Sequence, residues 1–330
     1  MPPPGSASAS RFLSCDWGTS SFRLTLVDAP TLAMRAQVES PQGIAATFST
    51  WKNGGHSAEA RWGFYYATIR QQVAVLEKKT ETALGGVPLV ISGMASSTIG
   101  MVDLPYKVVP FATDGSDLGV QVHQPGADVD REVVVVSGVR GDDDVMRGEE
   151  VQLVGAVASE PESEAERVFI FPGTHSKHVV VRGRWATRIR TYMTGEFFSF
   201  LSRHSVLSEM VDADAPWTGD SASFEEGVRE GATENLLHAC FQVRVKGLLR
   251  TANRTQNSQF LSGLLIGSEL RDSRESAAEE FVLVATPVFS ARYRQALETL
   301  GVPGRVSVRG MEEALIKGHA RIASGLGWIA

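Results

Sequence analysis

Two short stretches carry residue types suited to holding phosphate. Cys15–Arg23 (CDWGTSSFR) and Phe171–Lys177 (FPGTHSK) each break an extended apolar run with Gly-Thr and small hydroxyl residues, after which the extended pattern resumes. The flanking runs are Phe12–Cys15 and Phe22–Asp28 for the first, Arg167–Phe171 and His178–Arg182 for the second. At a hairpin tip of this composition the glycine lets the backbone approach a phosphate closely. Consecutive N–H groups with Thr or Ser hydroxyls then form an anion-binding nest. Gly18, Thr19 and Ser20 would make one cradle; Gly173, Thr174, Ser176 and Lys177 would make the other. Two such cradles in one chain suggest a kinase. The chain has neither G-x-x-x-x-G-K-[ST] nor G-x-G-x-x-G after a strand, so P-loop and dinucleotide-binding readings lose their main support.

The elements that must position these tips read as alternating strands and helices. A third short strand is expected around Ala33–Glu39, after the hairpin Phe12–Asp28. Between Ser57 and Lys78, Trp62, Tyr65, Ile69, Val73 and Leu76 recur at three- and four-residue steps, one apolar face of a helix. Val87–Ile91 and Val133–Val136 are short continuous apolar runs, as in strands buried on both faces of a largely parallel sheet. Ser159–Arg167 (SEPESEAER) is polar and acidic with no apolar period, a linker candidate placed just before the second cradle. Beyond it the pattern predicts a strand over Thr187–Tyr192, a helix from Gly195, a helix over Ser223–Cys240 and a Gly263–Leu270 segment. A strand over Phe281–Ala285, a helix over Ser290–Leu300 and a last helix from Met311 to about Ser324 complete it. The class is α/β, with domains expected over 11–158 and 167–330, a disordered tail over 1–10, and one phosphate hairpin per half. The last helix, from about 311, can pack back on the first domain.

Composition narrows the partners. With 330 residues, 43% apolar and 21% charged, the chain is long enough for two domains with separate cores. A net charge of −6, without Lys/Arg clusters interleaved with aromatics, argues against a nucleic-acid partner. The segment Met1–Ser10 has no basic or apolar signal region and no stretch reaches membrane-span length, so neither a signal peptide nor a membrane partner is expected. Cys15 and Cys240 form no metal or disulfide pattern; both read as core residues of a cytoplasmic protein. Oligomeric state is not legible.

Five runs, in this order, make the pattern specific: Asp16–Ser20 (DWGTS), Ser92–Gly100 (SGMASSTIG) with Pro105–Tyr106, Val145–Gly155 (VMRGEEVQLVG), Pro172–Lys177 (PGTHSK) and Tyr192–Phe197 (YMTGEF). Leu261–Gly267 (LSGLLIG) and Ala291–Ala296 (ARYRQA) follow them. The sequence resembles the 2-dehydro-3-deoxygalactonokinase family of the actin/hexokinase/Hsp70-like phosphotransferase superfamily over nearly its whole length. That resemblance implies two actin-like ATPase (ribonuclease H-like) domains flanking a central cleft, closing over ATP and Mg²⁺. It also implies phosphorylation of 2-dehydro-3-deoxy-D-galactonate at O6 in galactonate catabolism.

Phosphoryl transfer requires a metal to neutralise the phosphates, donors around the transferring oxygens and a base beside the acceptor hydroxyl. On the resemblance, Asp16 holds Mg²⁺ through water, the alternative being a turn-capping Asp. Thr174, Ser176 and Lys177 would face the β/γ-phosphates, the alternative for Lys177 being a solvated lysine at a strand start. His175 would stack or bond the backbone. Glu149 stands where related sugar kinases begin a helix with their catalytic carboxylate. The positive end of a helix favours an ionised carboxylate able to accept a proton. Glu150 and Asp144 are its rivals, and Arg140–Asp144 (RGDDD) can be a solvated acidic turn.

The loop after the strand ending at Ile91 supplies Gly93, Met94 and Ser96 at the carboxyl end of a sheet, where ligands of open α/β sheets bind. Arg23 and Arg140 are candidate clamps for the substrate carboxylate, and Tyr106 with Met94 for apolar walls. Gly263, Gly267 and the strand Val282–Ala285 would flank adenine, with Trp17 as likely to pack as to touch ligand. A kinase for another sugar acid, a non-catalytic sugar-acid sensor and a phosphohydrolase remain the alternatives on the same fold.

Overall fold

The computed structural model describes residues 9–126, 129–158, 163–217 and 222–330. The tail up to residue 8 and positions 159–162 of the expected linker lie outside the described residues. The chain forms two compact units: Met1–Glu162 with Arg184–Arg188 and Glu312–Ala330, and Ser163–Gly183 with Ile189–Met311.

The first unit begins with a meander, β1 (Arg11–Trp17), β2 (Phe22–Asp28) and β3 (Met34–Ser40), each strand antiparallel to the next. Helices α1 (Ile44–Asn53) and α2 (Arg61–Thr80) follow, then β4 (Leu89–Gly93). Five short strands come next: β5 (Lys107–Val108), β6 (Phe111–Ala112), β7 (Val120–His123), β8 (Val133–Val136) and β9 (Val139–Arg140). Strand β10 (Val145–Met146) and helix α3 (Glu149–Val157) close this part of the chain. The main sheet runs β3-β2-β1-β4-β8-β7, with β1, β4 and β8 parallel, and β10-β9-β5 form a small second sheet. All four valines of β8 are fully buried, as the unbroken apolar run requires of a strand covered on both faces. Helix α2 buries Tyr65, Tyr66, Ile69, Val73 and Leu76 against the same core as Trp17 and Leu89. Each such large apolar side chain contributes roughly 1.5–3 kcal/mol on burial.

The second unit repeats the plan. Its meander is β11 (Arg167–Phe171), β12 (Ser176–Arg182) and β13 (Trp185–Tyr192), followed by α4 (Thr194–His204), α5 (Ala222–Thr233), α6 (Leu236–Leu248) and α7 (Arg254–Leu270). Then come β14 (Glu280–Ala285), α8 (Pro287–Thr299), β15 (Arg305–Gly310) and, last in the chain, α9 (Met311–Gly325). The sheet order is β15-β14-β11-β12-β13, with β11, β14 and β15 parallel. In each unit two parallel strands are added beside the first strand of a meander. This is the actin-like ATPase architecture, made twice.

Several elements differ from the sequence expectation. The helix expected over Ser223–Cys240 is two, because Asn235 takes an extended conformation and its side chain accepts from the Leu237 N–H at 3.0 Å, starting α6. Helix α7 begins well before Gly263, at a capping box formed by Asn253 and Gln256. Helix α1 and strand β15 have no counterpart in the sequence reading.

Helix α9 groups with the first unit, where it crosses α3 at contact distance: a β-carbon on Gly318 would lie 2.0 Å from the Val151 carbonyl oxygen. One residue on, the fully buried His319 bonds Ser14 Oγ on β1 through Nδ1 (2.7 Å) and Ser92 Oγ on β4 through Nε2 (3.0 Å). Burial drives its pKa down to about 3, so the ring is neutral and joins two strands without carrying charge into the core.

Candidate active site

In the first unit the chain ends of β1, β4 and the start of α3 meet at one point. Strands β1 and β4 are in parallel register, Asp16 beside Ser92 and Trp17 beside Gly93. Gly93 has φ +86°, and a β-carbon there would lie 2.8 Å from the Trp17 carbonyl oxygen and 3.4 Å from Oδ1 of Asp16. Gly148, with φ +106°, would bring a β-carbon 3.5 Å from Cα of Gly93. Both glycines adopt backbone that other residues rarely tolerate, and their small size lets three chain segments converge. Asp16 and Glu149 are thereby neighbours. The Asp16 pKa is raised, first by burial, against the pull of Arg23 and with the help of the Glu149 charge.

The three carboxylates weighed as base have different surroundings. Glu149, first residue of α3, is half-buried beside Asp16. Glu150 is fully buried and folds back to accept the Gly148 N–H at 2.8 and 2.9 Å; burial, then the Glu149 charge, push its pKa up to about 8. Its carboxyl thus bonds the backbone just before the helix from inside the core. Asp144 closes the β9–β10 turn, accepting the Val145 N–H at 2.7 Å, while its backbone carbonyl accepts from Gly141 N. Arg140 lies exposed in the same turn, donating to the Gly141 carbonyl at 3.2 Å.

Arg23 has a different task from clamping substrate. It faces Asp16 across the β1–β2 ladder at 3.5 Å and donates to Glu39 at 3.0 Å, so two carboxylates of the protein occupy it. The first tip has exposed Thr19 and Ser20, while the carbonyls of Gly18 and Thr19 accept the first N–H groups of α1, from Ile44 and Ala45. Trp17 packs. It is fully buried against Phe22 and Tyr65, its indole donating to the Gln42 carbonyl at 2.9 Å.

The loop after β4 is fixed from two sides. Arg147 donates to Ser96 Oγ (2.6 Å), the Ser96 carbonyl (2.8 Å) and the Tyr106 hydroxyl (3.1 Å), and its guanidinium lies over the Tyr106 ring at 4.0 Å. From α2, Arg61 reaches the Gly100 carbonyl at 2.7 Å and Tyr65 the Ile99 carbonyl at 2.6 Å. Ser96 is fully buried and committed to this scaffold, and Met94 packs on the unit's core, which leaves Gly93 at the meeting point. Arg147 lies in a run that the sequence singled out, yet nothing local marks it as the residue joining Ser96 to Tyr106.

In the second unit the β11–β12 tip rests on the start of α4. Glu196 N donates to the Thr174 carbonyl at 3.0 Å, and the Glu196 carboxylate meets His175 Nε2 at 2.6 Å. Thr174 and His175 are exposed, whereas Ser176 turns inward, fully buried, and donates to Glu269 at 2.6 Å. Its hydroxyl is therefore unavailable to phosphate. Lys177 is 7% exposed and its amine donates to the His175 carbonyl at 2.9 Å, beneath the tip.

Beside this tip lies a cavity of about 350 Å³, with Gly173, Thr174, Thr194 and Gly195 at one end and Leu265, Ile266 and Phe289 among its apolar walls. Arg292 and Tyr293 of α8 also line it. Arg292 Nε is buried and makes no hydrogen bond among the described residues, and burial lowers its pKa, so a polar or anionic group entering the cavity would satisfy it. Gly263 and Gly267 are not in this wall. They lie on the opposite side of α7, where β-carbons would strike the Phe224 and Val228 carbonyl oxygens of α5 at 2.1 and 2.2 Å. In a sequence, glycines that allow a helix crossing look like glycines that admit a ligand.

The profile of the 2-keto-3-deoxy-galactonokinase family matches residues 16–322. The chain is 34% identical over 300 residues to 2-dehydro-3-deoxygalactonokinase of Escherichia coli (strain K12), covering 88% of this chain and 90% of that one. It is 31% identical over 304 residues to a probable 2-dehydro-3-deoxygalactonokinase of Rhizobium meliloti (strain 1021), covering 89% and 91%. Among solved structures, a Sinorhizobium meliloti protein provisionally given the same kinase name superposes with TM-score 0.79 at 28% identity, over 95% of this chain and 96% of that one. The activator of 2-hydroxyisocaproyl-CoA dehydratase from Clostridium difficile, solved with bound ADPNP, shares the fold at TM-score 0.50 and 12% identity, over 95% and 94%.

Proposed function

The chain belongs to the 2-keto-3-deoxy-galactonokinase family, and we propose that it transfers the γ-phosphoryl group of ATP to O6 of 2-dehydro-3-deoxy-D-galactonate, giving 2-dehydro-3-deoxy-6-phosphogalactonate in galactonate catabolism. The observation that carries the site assignment is the convergence of Asp16, Gly93 and the Gly148–Glu149 helix start, with a glycine at each close approach.

Glu149 is the general base of this proposal. It begins α3, where the helix dipole favours negative charge, and it borders the Gly93 loop whose backbone would bind the sugar acid. Asp16 suits a Mg²⁺ held through water: it is an oxygen donor at a strand end, and the repulsion it shares with Glu149 is relieved by a cation. When bound, that cation would neutralise charge on the phosphates. Thr174 and the backbone of Gly173 would bind phosphate oxygens, with Lys177 supporting the tip from below. The cavity of about 350 Å³ suits the adenosine end, its apolar walls taking the base and Arg292 a polar group. Both cysteines are free, which suits a reducing cytoplasm; no described helix is long and apolar enough to cross a membrane.

The test is ADP release by purified protein with Mg-ATP and a panel of 2-keto-3-deoxy sugar acids. Turnover that requires 2-dehydro-3-deoxy-D-galactonate, with phosphate found on O6, is the expected result. ATP consumption indifferent to any acid would make the protein a phosphohydrolase, and acid binding without turnover a sensor.

A further inference from the structure

Glu269 of α7 is 4% exposed, and neither cradle nor base uses it. Its carboxylate nevertheless collects donors from three other elements of the second unit. Oε1 accepts from Ser176 Oγ of β12 at 2.6 Å and from His178 Nε2 of the same strand at 2.9 Å. Oε2 accepts from the Tyr293 hydroxyl of α8 at 2.8 Å and from the Thr194 hydroxyl at the start of α4. A carboxylate has about four acceptor sites and no proton to give, so these donors fill it and place the His178 proton on Nε2.

The donors are not scattered. Ser176 lies two residues beyond Thr174, at the root of the phosphate hairpin, while Thr194 and Tyr293 line the adjoining cavity. One buried group therefore sets the hairpin, the helix start on which its tip rests, and the far wall in a single arrangement. Apolar packing would tolerate small slides among these elements. A saturated carboxylate does not, since any slide leaves a buried donor or acceptor unmatched.

We propose that Glu269 is a positioning residue for nucleotide binding, fixing the phosphate hairpin relative to the cavity walls without touching the ligand. This rests on the reading of the hairpin and cavity as the ATP site. Glu269→Gln keeps the volume but turns an amide NH₂ toward one pair of donors, Ser176 with His178 or Thr194 with Tyr293, so two donors lose their acceptor.

The experiment compares wild type, Glu269→Gln and Ser176→Ala by KM and kcat for Mg-ATP, ADP affinity by calorimetry, sugar-acid affinity and melting temperature. Glu269→Gln is expected to weaken ADP and Mg-ATP by about 10- to 100-fold, with sugar-acid affinity held. Ser176→Ala, which removes one donor from a side chain that no ligand reaches, should shift the same two quantities less. A lower melting temperature with unchanged ADP affinity and Mg-ATP KM would make the node merely structural and overturn the proposal. If Glu269→Gln does not fold, Ser176→Ala decides on the same two quantities. Wild type that binds no ADP would remove the nucleotide reading and this proposal together; wild type that binds while both variants bind equally well removes this proposal alone.

Discussion

Gly195 lies so close under Gly173 that a β-carbon on it would sit 2.5 Å from the Gly173 carbonyl oxygen and 2.8 Å from Cα of Thr174. Both neighbours are backbone, so neither can rotate away. Gly195→Ala must lift the hairpin tip, and a displacement of about 1 Å at a reacting group can reduce rates about 100-fold. The expected result is a loss of that order in kcat/KM for Mg-ATP with sugar-acid affinity retained, read by steady-state kinetics and calorimetry. A raised KM for the sugar acid alone would place the tip at the wrong ligand.

Asp16→Asn removes the charge at the end of β1 while keeping its shape. If this carboxylate holds the metal shell, kcat should fall by orders of magnitude and sugar-acid binding should change little, since the loss falls on transition-state charge. Turnover near wild type would reject the metal role.

Glu149→Gln should bind ATP and sugar acid and lose most transfer, measured as binding and turnover on one preparation. Asp144→Asn, in the exposed β9–β10 turn, should remain active. A dead Asp144→Asn beside an active Glu149→Gln would move the base to the turn.

Glu150 gives a pH prediction of definite sign. Its pKa rises from an ordinary 4.5 to about 8 on folding, so between these values the folded chain holds a proton that the unfolded chain has released. Stability must then fall as pH rises through that window. Glu150→Gln, permanently neutral and still able to accept the Gly148 N–H, should show a flatter melting temperature between pH 5 and pH 8, the outer points being about those pKa values. Parallel curves for the two proteins would rule out a protonated Glu150.

His319 has the opposite sign. Its pKa falls from 6.5 unfolded to about 3 folded, so the unfolded state takes up protons first and stability declines as pH drops below 6.5. Replacing it by Gln, which can bond Ser14 and Ser92 but does not titrate, should reduce this acid sensitivity in a denaturation series.

Local chemistry made the two hairpins legible: a Gly-Thr break between apolar runs has few other uses, and β1–β2 and β11–β12 stand where those breaks put them. Period was equally informative for α2, whose buried face follows the three- and four-residue steps. What stayed hidden depends on residues far apart in the chain. Glu269 and Ser176 are 93 positions apart, and His319 and Ser14 are 305 apart, so no window of sequence contains either pair. The α5–α6 break was missed because Glu234 and Asn235 interrupt a run otherwise rich in helix formers, and only the Asn235 cap reveals it. Ser176 is expected to face phosphate with its neighbours, yet it is fully buried at the start of β12, a strand buried along all but its last residue, so no alternation in the sequence marks it.

Because α9 belongs to the first unit but follows the second in the chain, the first unit is discontinuous. During synthesis the ribosome releases all of the second unit before the segment carrying Gly318 and His319 emerges. Domains usually mature in order from the N-terminus. Here the earlier-made half waits for α9 to cover α3 and brace β1 and β4 through His319, while the later-made half can finish first. A nonsense mutation near codon 310 would therefore damage the half that was translated first, leaving the nascent Asp16 strand exposed to chaperones and proteases.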